Sequence, residues 1–390
     1  MKTKIINARI FTPIEILDNH DIIIEDGKIL AVTPRDNDLV HKFSDVTVIN
    51  AAGFLVTPGL IDIHIHGCMG GDTMDASLQT LETMSLFMIR HGVTSFYATT
   101  VTNPAEKIDQ ALDIILNSQG KLPGANAVGV HIEGPYINAM YKGAQNPAFL
   151  RTPQEEEYTK WIDKNIVRMI TVAPELEGSD DLIQYCIQRK VAIAIGHSGA
   201  SYEQVTHASD LGASQATHLF NGMLGLHHRE LGTAGAVLCD ERLYAQIIAD
   251  GIHLHPAIIK LIIKAKGIDR VILITDAMRA TGLPDGEYDL GGQLVHVANG
   301  TARIANGSLA GSTLTLDQAI RNTMEFTGLP FQSVLEMASS VPAKAMGITE
   351  TKGFIRSGND ADLTFFDPNY QVKATMIAGE LKYKDKSFGG

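Results

Sequence analysis

Two histidines, His64 and His66, lie two residues apart at the end of an almost continuous apolar segment, Leu55–His66. On a β-strand, residues two apart project from the same face, so the two imidazoles would point in one direction. Two imidazoles at the end of a buried strand favour a divalent-metal site. A pair of hydrogen-bonded core histidines is the alternative, and the ends of the later apolar segments bear on the choice.

Four later apolar segments also end with ionisable side chains. These side chains are Glu133, His197, His218 and Asp276, with His131 two residues before Glu133. In a parallel barrel, the carboxyl ends of all strands lie on one face, where barrel enzymes hold their catalytic groups. A buried carboxylate needs a partner, because an unpaired buried charge is costly, and a metal ion supplies one. Five segments that end in this way predict a metal-dependent hydrolase.

The types of these side chains predict how ions would be held. Imidazoles and carboxylates bind zinc or iron(II), and a carboxylate can bridge two ions through its two oxygens. One ion would be bound by His64, His66 and Glu133, and the other by Glu133, His197 and His218. Asp276 remains to take a proton from an attacking water and return it to a leaving group. The pattern therefore predicts hydrolysis or deamination.

The segments that carry these residues belong to a repeated alternation of strands and helices. The candidate strands are Leu55–His66, Thr94–Val101, Ala127–Glu133, Val167–Ala173, Val191–His197, Gln215–Asn221, Ala245–His253 and Val271–Asp276. Eight such strands with amphipathic helices between them predict an α/β fold, a (β/α)₈ TIM-like barrel over residues 54–351. An open doubly wound sheet is the alternative, but no G-x-G-x-x-G follows any strand. Strand-rich segments at 1–53 and 352–390 predict a small β domain assembled from both termini.

Composition excludes several classes of function. The net charge of −12 argues against general nucleic-acid binding, which needs a basic surface. Cys68, Cys186 and Cys239 form no CxxC pair, which fits a reducing compartment. The sequence has no signal-peptide-like core at its start, and no apolar run approaches the roughly 20 residues of a membrane span. We therefore expect a cytoplasmic protein with neither a nucleic-acid nor a membrane partner.

Several longer motifs point to a known family. PGLIDIHIHG (58–67) is typical of the amidohydrolase superfamily, and the more specific motifs are HIEGPYIN (131–138), GHSGA (196–200), THLFNGM (217–223), ADGIHL (249–254), ITDAM (274–278) and LAGSTLT (309–315). Over nearly its whole length, the chain resembles the N-acetylglucosamine-6-phosphate deacetylase family within that superfamily. The resemblance implies a barrel with a small β-sandwich domain from the N- and C-terminal segments. It also implies hydrolysis of the acetamide of N-acetylglucosamine 6-phosphate to glucosamine 6-phosphate and acetate.

The resemblance further implies roles for individual residues. Glu133, His197 and His218 match the family's metal site, Asp276 its general base and acid, and Asn221, Gly222 and His253 its substrate contacts. Arg229 matches a phosphate-binding arginine that reaches in from a second subunit, so a homodimer is implied. Gln145 stands where some relatives have a histidine that polarises the acetyl carbonyl. Its amide donates a hydrogen bond but carries no charge.

Some points remain open at this level. Certain family members replace the first histidine pair and hold a single metal ion. This chain keeps His64 and His66. We therefore expect one or two ions of zinc or iron, and two are favoured. We expect His131 to orient a metal ligand or to pack behind the site. His227, His228 and Arg229 form a cationic cluster suited to phosphate, with a solvated loop as the alternative.

The alternatives in function are N-acetylgalactosamine-6-phosphate deacetylation, cyclic-amide hydrolysis or nucleobase deamination, and a non-catalytic barrel.

Overall fold

The chain begins with short strands that contribute to two sheets outside the barrel. The computed structural model describes residues 2–12, 15–35 and 46–388. The strands before the barrel are β1 (Lys2–Ile6), β2 (Arg9–Phe11), β3 (Ile16–Leu17), β4 (His20–Glu25), β5 (Lys28–Pro34), β6 (Thr47–Asn50) and β7 (Leu55–Pro58). A two-residue turn, Asp26-Gly27, joins β4 to β5. Both of its residues have positive φ, as a type I′ hairpin turn requires.

Strands and helices then alternate around a parallel barrel. In chain order these elements are β8 (Leu60–Ile65), β9 (Gly67–Cys68), β10 (Gly71–Asp72), α1 (Leu78–Met88), β11 (Val93–Thr100), α2 (Ala105–Ser118), β12 (Asn126–Glu133), α3 (Glu155–Ile162), β13 (Val167–Val172), α4 (Ser179–Gln188), β14 (Ala192–Ile195), α5 (Tyr202–Leu211), β15 (Gln215–Ala216), α6 (Gly232–Cys239), β16 (Tyr244–Ile248), α7 (Pro256–Lys266) and β17 (Val271–Ile274). Eight of the strands pair in the order β8-β11-β12-β13-β14-β15-β16-β17. Strands β9 and β10 form a separate antiparallel pair.

The sheet closes on itself just beyond the ends of β8 and β17. The amide of Asp276 donates to the carbonyl of His64 at 2.9 Å, and the amide of His66 donates to the carbonyl of Ala277 at 2.9 Å. These bonds join the eighth strand to the first, which an open sheet would not allow. The predicted TIM-like barrel is confirmed.

Burial explains why the barrel strands read as continuous apolar runs. Every residue of β8, β11 and β17 is buried, as expected for parallel strands that are covered by helices on one face and pack inside the barrel on the other. The helices bury one face each, for example Ile108, Leu112 and Ile115 of α2. Their spacing of three and four residues places them on one side of a helix.

Both termini build the sheets outside the barrel. After β17 the chain forms β18 (Gly286–Leu290), β19 (Gln293–Ala298), β20 (Thr301–Ile304), α8 (Leu316–Thr327), α9 (Phe331–Glu336), α10 (Ser340–Ala345), β21 (Leu363–Phe366), β22 (Val372–Ile377) and β23 (Glu380–Lys384). The two outer sheets have the orders β5-β4-β1-β6 and β23-β22-β21-β7-β2-β3. Their shared core contains Ile5 and Ile22 from one end of the chain and Phe365 and Met376 from the other.

Two parts of the predicted strand pattern are wrong. The single strand Leu55–His66 is divided at Gly59, because Leu55–Pro58 pairs with β2 and β21 in an outer sheet and the barrel strand begins at Leu60. A Cβ at Gly59 would lie 2.2 Å from the Thr94 hydroxyl, so the chain can cross here only at a glycine. The strands predicted to end at His197, Asn221, His253 and Asp276 stop earlier, at Ile195, Ala216, Ile248 and Ile274.

A three-stranded sheet after the barrel was not predicted. Strands β18, β19 and β20 pair as an antiparallel meander and pack on Val101 and Met278 in a small core of their own. Its loops form one wall of the cavity described below. Within the described residues, no helix is both long and apolar enough to cross a membrane.

Candidate metal and active site

Four histidines converge on Glu133 at the carboxyl end of the barrel. Glu133 is the last residue of β12, and its Oε1 lies 2.9 Å from His218 Nε2 and 3.1 Å from His197 Nε2. Its Oε2 lies 3.2 Å from His66 Nε2, which in turn lies 3.3 Å from His64 Nε2. Glu133 therefore lies between two histidine pairs. Each pair with Glu133 forms a buried group whose ligand atoms lie within 4.8 Å of one another.

Backbone carbonyls orient three of these imidazoles. The Nδ1 atoms of His66, His197 and His218 lie 3.2, 2.8 and 3.1 Å from the carbonyl oxygens of Thr99, Tyr141 and Asn221, respectively. In the neutral ring, an Nδ1–H that donates to a carbonyl leaves Nε2 unprotonated and directed at the centre of the site. This tautomer is the one that a metal ion needs.

His64 is held differently, by its neighbour His131. The two rings meet edge to face with centroids 4.6 Å apart. His131 is buried, and its Nε2 lies 2.7 Å from the hydroxyl of Thr171, away from Glu133. Burial and the nearby charge on His64 hold the pKa of His131 well below its ordinary value, so the ring is neutral. The structure thus places His131 behind the histidine pair.

The backbone turns sharply where the site residues follow their strands. His197, His218 and Asp276 each come two residues after a strand end, and their φ angles are 48°, 27° and 49°. Residues other than glycine rarely adopt this left-handed region, which costs on the order of 1–3 kcal/mol per residue and is concentrated at functional sites. The turn directs each side chain to the mouth of the barrel rather than to its wall.

Asp276 lies beside the first histidine pair. Its Oδ1 is 3.1 Å from His66 Nε2 and 3.3 Å from His64 Nε2. Asp276 also lines the cavity that opens above the site. A carboxylate in this position borders both the first histidine pair and the cavity.

The charges of the cluster shift the pKa values of its members. Burial alone would lower the pKa of His64, but the Glu133 and Asp276 carboxylates outweigh it and raise this pKa to about 9. The pKa of His66 is raised well above its usual value in the same way. Burial opposes ionisation of Glu133 and Asp276, yet the imidazoles hold the pKa of both carboxyls well below normal. Two ionised carboxylates surrounded by imidazoles make a site that favours bound positive charge. Its donors fit one or two divalent ions.

A cavity of about 380 Å³ opens above this cluster. Its lining includes Asn221, Gly222, His253 and Gln145, the residues expected to contact substrate. The Nδ1 atom of His253 lies 2.7 Å from an oxygen of Asp250, which fixes the ring at the edge of the cavity. The cavity therefore brings together the expected substrate contacts and the candidate ion ligands.

Arg229, in contrast, does not line the cavity of its own chain. It lies on an exposed loop, where its guanidinium is 2.7 Å from His228 Nε2. Among the described residues, one lysine or arginine side chain lines the cavity, that of Arg303. Arg303 lies on β20, in the sheet that was not predicted. Arg303 lies in no recognised motif, so its place in the cavity was not predicted.

Gln145 is turned towards Glu133 rather than into open space. Its side-chain nitrogen donates to Glu133 Oε2 at 2.8 Å, and its side-chain oxygen accepts from the amide of Thr102 at 2.8 Å. Both ends of the amide are thus engaged within the protein.

Glu175 is a further residue that the sequence analysis missed. Its carboxylate accepts from the amide of Gly199 at 2.6 Å, the hydroxyl of Ser198 at 2.7 Å and the side-chain amide of Asn138 at 2.9 Å. These contacts tie the loop after His197 to the loop after Glu133. Glu175 comes three residues after the end of β13. An acidic residue shortly after the end of β13, the fourth barrel strand, was the signal in the sequence that could have identified Glu175.

Comparison with known proteins identifies the family. Residues 55–382 match the amidohydrolase family. The chain belongs to this family. Residues 5–41 match the NagA composite domain. The match to the amidohydrolase family covers the whole barrel and extends into the carboxyl-terminal strands.

Individual relatives narrow the comparison within the amidohydrolases. The chain is 40% identical over 365 residues to the N-acetylglucosamine-6-phosphate deacetylase of Lysinibacillus sphaericus, with 93% of each chain covered. It is 38% identical to the N-acetylgalactosamine-6-phosphate deacetylase of Escherichia coli O157:H7, covering 94% of this chain and 95% of the relative. These matches confirm the resemblance to the deacetylase family.

A solved structure supports the same comparison. It is an aspartate-to-alanine mutant of N-acetyl-D-glucosamine-6-phosphate deacetylase from Mycobacterium smegmatis, in complex with N-acetyl-D-glucosamine-6-phosphate. The two chains align with a TM-score of 0.88 at 32% identity, covering 98% of this chain and 99% of the other. The alignment includes both the barrel and the outer sheets, so the fold is shared over its full extent.

Proposed function

We propose that this chain is a metal-dependent deacetylase that hydrolyses the acetamide of N-acetylglucosamine 6-phosphate to glucosamine 6-phosphate and acetate. The observation that carries the proposal is the position of Glu133 between two oriented histidine pairs, beside Asp276 at the floor of a cavity. The similarity to deacetylases over nearly the whole chain identifies the substrate class.

In this proposal the chain binds one or two divalent ions, zinc or iron. His64, His66 and Glu133 would hold one ion, and Glu133, His197 and His218 the other. Such ions, when bound, lower the pKa of water and polarise the acyl oxygen of a substrate. The carbonyl-anchored imidazoles keep their Nε2 atoms available for the ions and resist displacement.

Asp276 is the proposed proton-transfer group. The imidazoles keep its pKa well below normal, so it is ionised and able to accept a proton from the attacking water. The same carboxyl would then give that proton to the amine nitrogen as the carbon–nitrogen bond breaks. Its place between the histidine pair and the cavity puts the carboxylate beside both the proposed ion ligands and the space for the substrate.

Asn221, Gly222 and His253 are proposed to hold the sugar phosphate, since all three line the cavity. Arg229 is proposed to bind the phosphate in the cavity of a second subunit, because it lies outside its own. Close to it, Leu226 is 50% exposed, which fits a surface covered by a partner. The proposed assembly is therefore a homodimer.

Mixing two inactive variants tests the homodimer. In a dimer of Arg229→Ala and Asp276→Asn subunits, one site keeps Asp276 and receives an intact Arg229 from the other subunit. Random mixing of equal amounts should restore about a quarter of wild-type activity, because half of the two-fold dimers are mixed and each has one working site. Absence of recovery, with mixed dimers shown to form, would contradict the shared site.

Acetate release tests the function itself. We would measure it from N-acetylglucosamine 6-phosphate, its galactosamine epimer and the unphosphorylated sugar, with chelator and with zinc or iron added back. Turnover of the glucosamine phosphate that is lost on chelation and restored by metal would support the proposal. Faster turnover of the galactosamine epimer would favour a second candidate function, N-acetylgalactosamine-6-phosphate deacetylation. The 38% identity to a deacetylase of that name supports this candidate. No acetate from a folded, metal-loaded protein would reject both.

We also infer a cytoplasmic location. Cys68, Cys186 and Cys239 are all unpaired, and burial raises the pKa of the Cys186 thiol to about 12. Unpaired thiols fit a reducing compartment. The proposal predicts that the protein is found in the soluble fraction of lysed cells and not in the medium.

A further inference from the structure

Gln145 connects the bridging carboxylate to the backbone of a neighbouring strand end. Its oxygen accepts from the amide of Thr102, and its nitrogen donates to Glu133 Oε2, both at 2.8 Å. The side chain is only 7% exposed. A flipped amide would set nitrogen against the Thr102 N–H and oxygen against the carboxylate, so only one orientation satisfies both partners.

We propose that Gln145 is a positioning residue, which holds Glu133 so that one carboxylate can serve two ions, and that it does not polarise the acyl group of the substrate. The proposal rests on the metal-dependent function proposed above. It assigns to Gln145 a role in ion binding that is separate from contact with the sugar.

The distribution of donors around Glu133 supports this role. Its Oε1 faces the imidazoles of His197 and His218 at 3.1 and 2.9 Å, and His64 Nε2 lies 3.7 Å from the same oxygen. Its Oε2 faces the imidazole of His66 at 3.2 Å and the amide of Gln145. Gln145 therefore fixes the side of the carboxylate that has fewer histidines close to it. Without this hydrogen bond, the carboxylate could rotate towards His197 and His218.

The chemistry of the amide is compatible with a bound ion. A carboxylate oxygen has two lone pairs, so Oε2 of Glu133 can accept from Gln145 and still bind a cation. A neutral amide leaves the negative charge of Glu133 available to the ions, whereas a cationic donor would compete with them for it. Gln145 thus restrains the geometry of the carboxylate without reducing its charge.

The loop that carries Gln145 is itself fixed. The amide of Gln145 donates to the carbonyl of Lys142 at 2.9 Å. The side chain of Gln293, in the sheet of β18–β20, donates to the carbonyl of Ala144. The loop is therefore held at two points, and Gln145 is pre-positioned before any ion arrives.

Zinc titration of the metal-free protein tests the proposal without relying on activity. The variants are Gln145→Met, which removes both hydrogen bonds at similar size, and Gln145→Ala, which removes both hydrogen bonds and adds no charge. Gln154→Met and Gln154→Ala are the matched controls, because Gln154 is exposed and, within the described residues, its side chain hydrogen-bonds to Thr152 alone. Thermal unfolding of the metal-free variants checks that each is folded. If Gln145→Met fails to fold, Gln145→Ala alone decides.

We expect both Gln145 variants to bind the ion held by His64 and His66 about 10–100-fold more weakly, the loss typical of removing a group that orients a ligand. Excess zinc should recover much of kcat in Gln145→Met, with KM for the sugar phosphate unchanged. Unchanged zinc affinity together with a lasting loss of kcat would overturn the proposal and assign Gln145 to the substrate. If wild-type protein bound no zinc or iron at all, the metal-dependent function itself would fail, which is a distinguishable result.

Discussion

A methyl group added at Gly222 should weaken metal binding through the ring of His197. The new Cβ would lie 2.8 Å from His197 Nδ1 and 3.0 Å from the carbonyl oxygen of Tyr141. These two atoms form the 2.8 Å hydrogen bond that orients the ring. Gly222→Ala must displace the ring or the carbonyl, and either movement turns Nε2 of His197 away from Glu133.

Two costs are expected, and a control separates them. Gly222 has a φ of +58°, and a Cβ in this left-handed region costs about 1–2 kcal/mol. Loss of a contact that orients a ligand lowers metal affinity about 10–100-fold, which removes about 1.4–2.7 kcal/mol of stabilisation by excess zinc. Gly120→Ala is the control, because Gly120 has a φ of +69° and no atom within 4 Å of the added Cβ.

The assay is urea unfolding of each protein, first metal-free and then with excess zinc. Both variants should lose stability in the metal-free form, through backbone strain. Only Gly222→Ala should gain less from zinc than wild type does. Equal zinc-dependent gains in the two variants would refute the reasoning that the contact between His197 and Tyr141 sets the ligand geometry. Because no substrate is present, the outcome is independent of the proposed contact between Gly222 and the sugar.

Three further predictions concern the acids and the protons of the site. Asp276→Asn should abolish acetate release while zinc content, measured by elemental analysis, stays near that of wild type; retained turnover would contradict its proposed role. Glu175→Gln should lower the free energy of unfolding by about 1–3 kcal/mol, because its amide nitrogen would replace one of the two accepting oxygens, either the one that accepts from Ser198 or the one that accepts from Gly199 and Asn138; an unchanged urea midpoint would count against this. Because the pKa of His64 is raised to about 9, zinc must displace a proton from this ring at pH 7, so zinc affinity should rise as the pH rises towards 9. If the calorimetric heat of zinc binding at pH 7 is the same in buffers of different ionisation enthalpy, no proton is released on binding, which would contradict this prediction.

The barrel and its ligand cluster could be predicted because they share one local pattern. The strands concerned are apolar runs, and the ionisable side chain lies at the strand end, as Glu133 does in β12, or two residues beyond it, as His197 does after β14. Parallel pairing then brings all such ends to one face, so no knowledge of distant contacts is needed. The family motifs add the roles of these residues, which the pattern alone leaves open.

Features that depend on distant partners were missed. Gln145 and Thr102 are 43 residues apart, and nothing near either residue indicates their hydrogen bond. The sheet of β18–β20 has short strands with exposed positions, so its apolar signal is weak. Apolar character also does not reveal which sheet a strand joins. For this reason Leu55–Pro58 was wrongly merged with the barrel strand that follows Gly59.

The loops that carry the ligands are hydrogen-bonded to one another in series around the end of the barrel. The amide of Asn138, in the loop after Glu133, donates to the carbonyl of His197 at 2.9 Å. The amide of Ser198 then donates to the carbonyl of Gly222 at 3.1 Å, in the loop after His218. A change in one loop therefore moves a ligand in the next, and substitutions in neighbouring loops should not be additive. This coupling gives a structural role to motif residues outside the proposed ion and substrate contacts, such as Asn138 and Ser198.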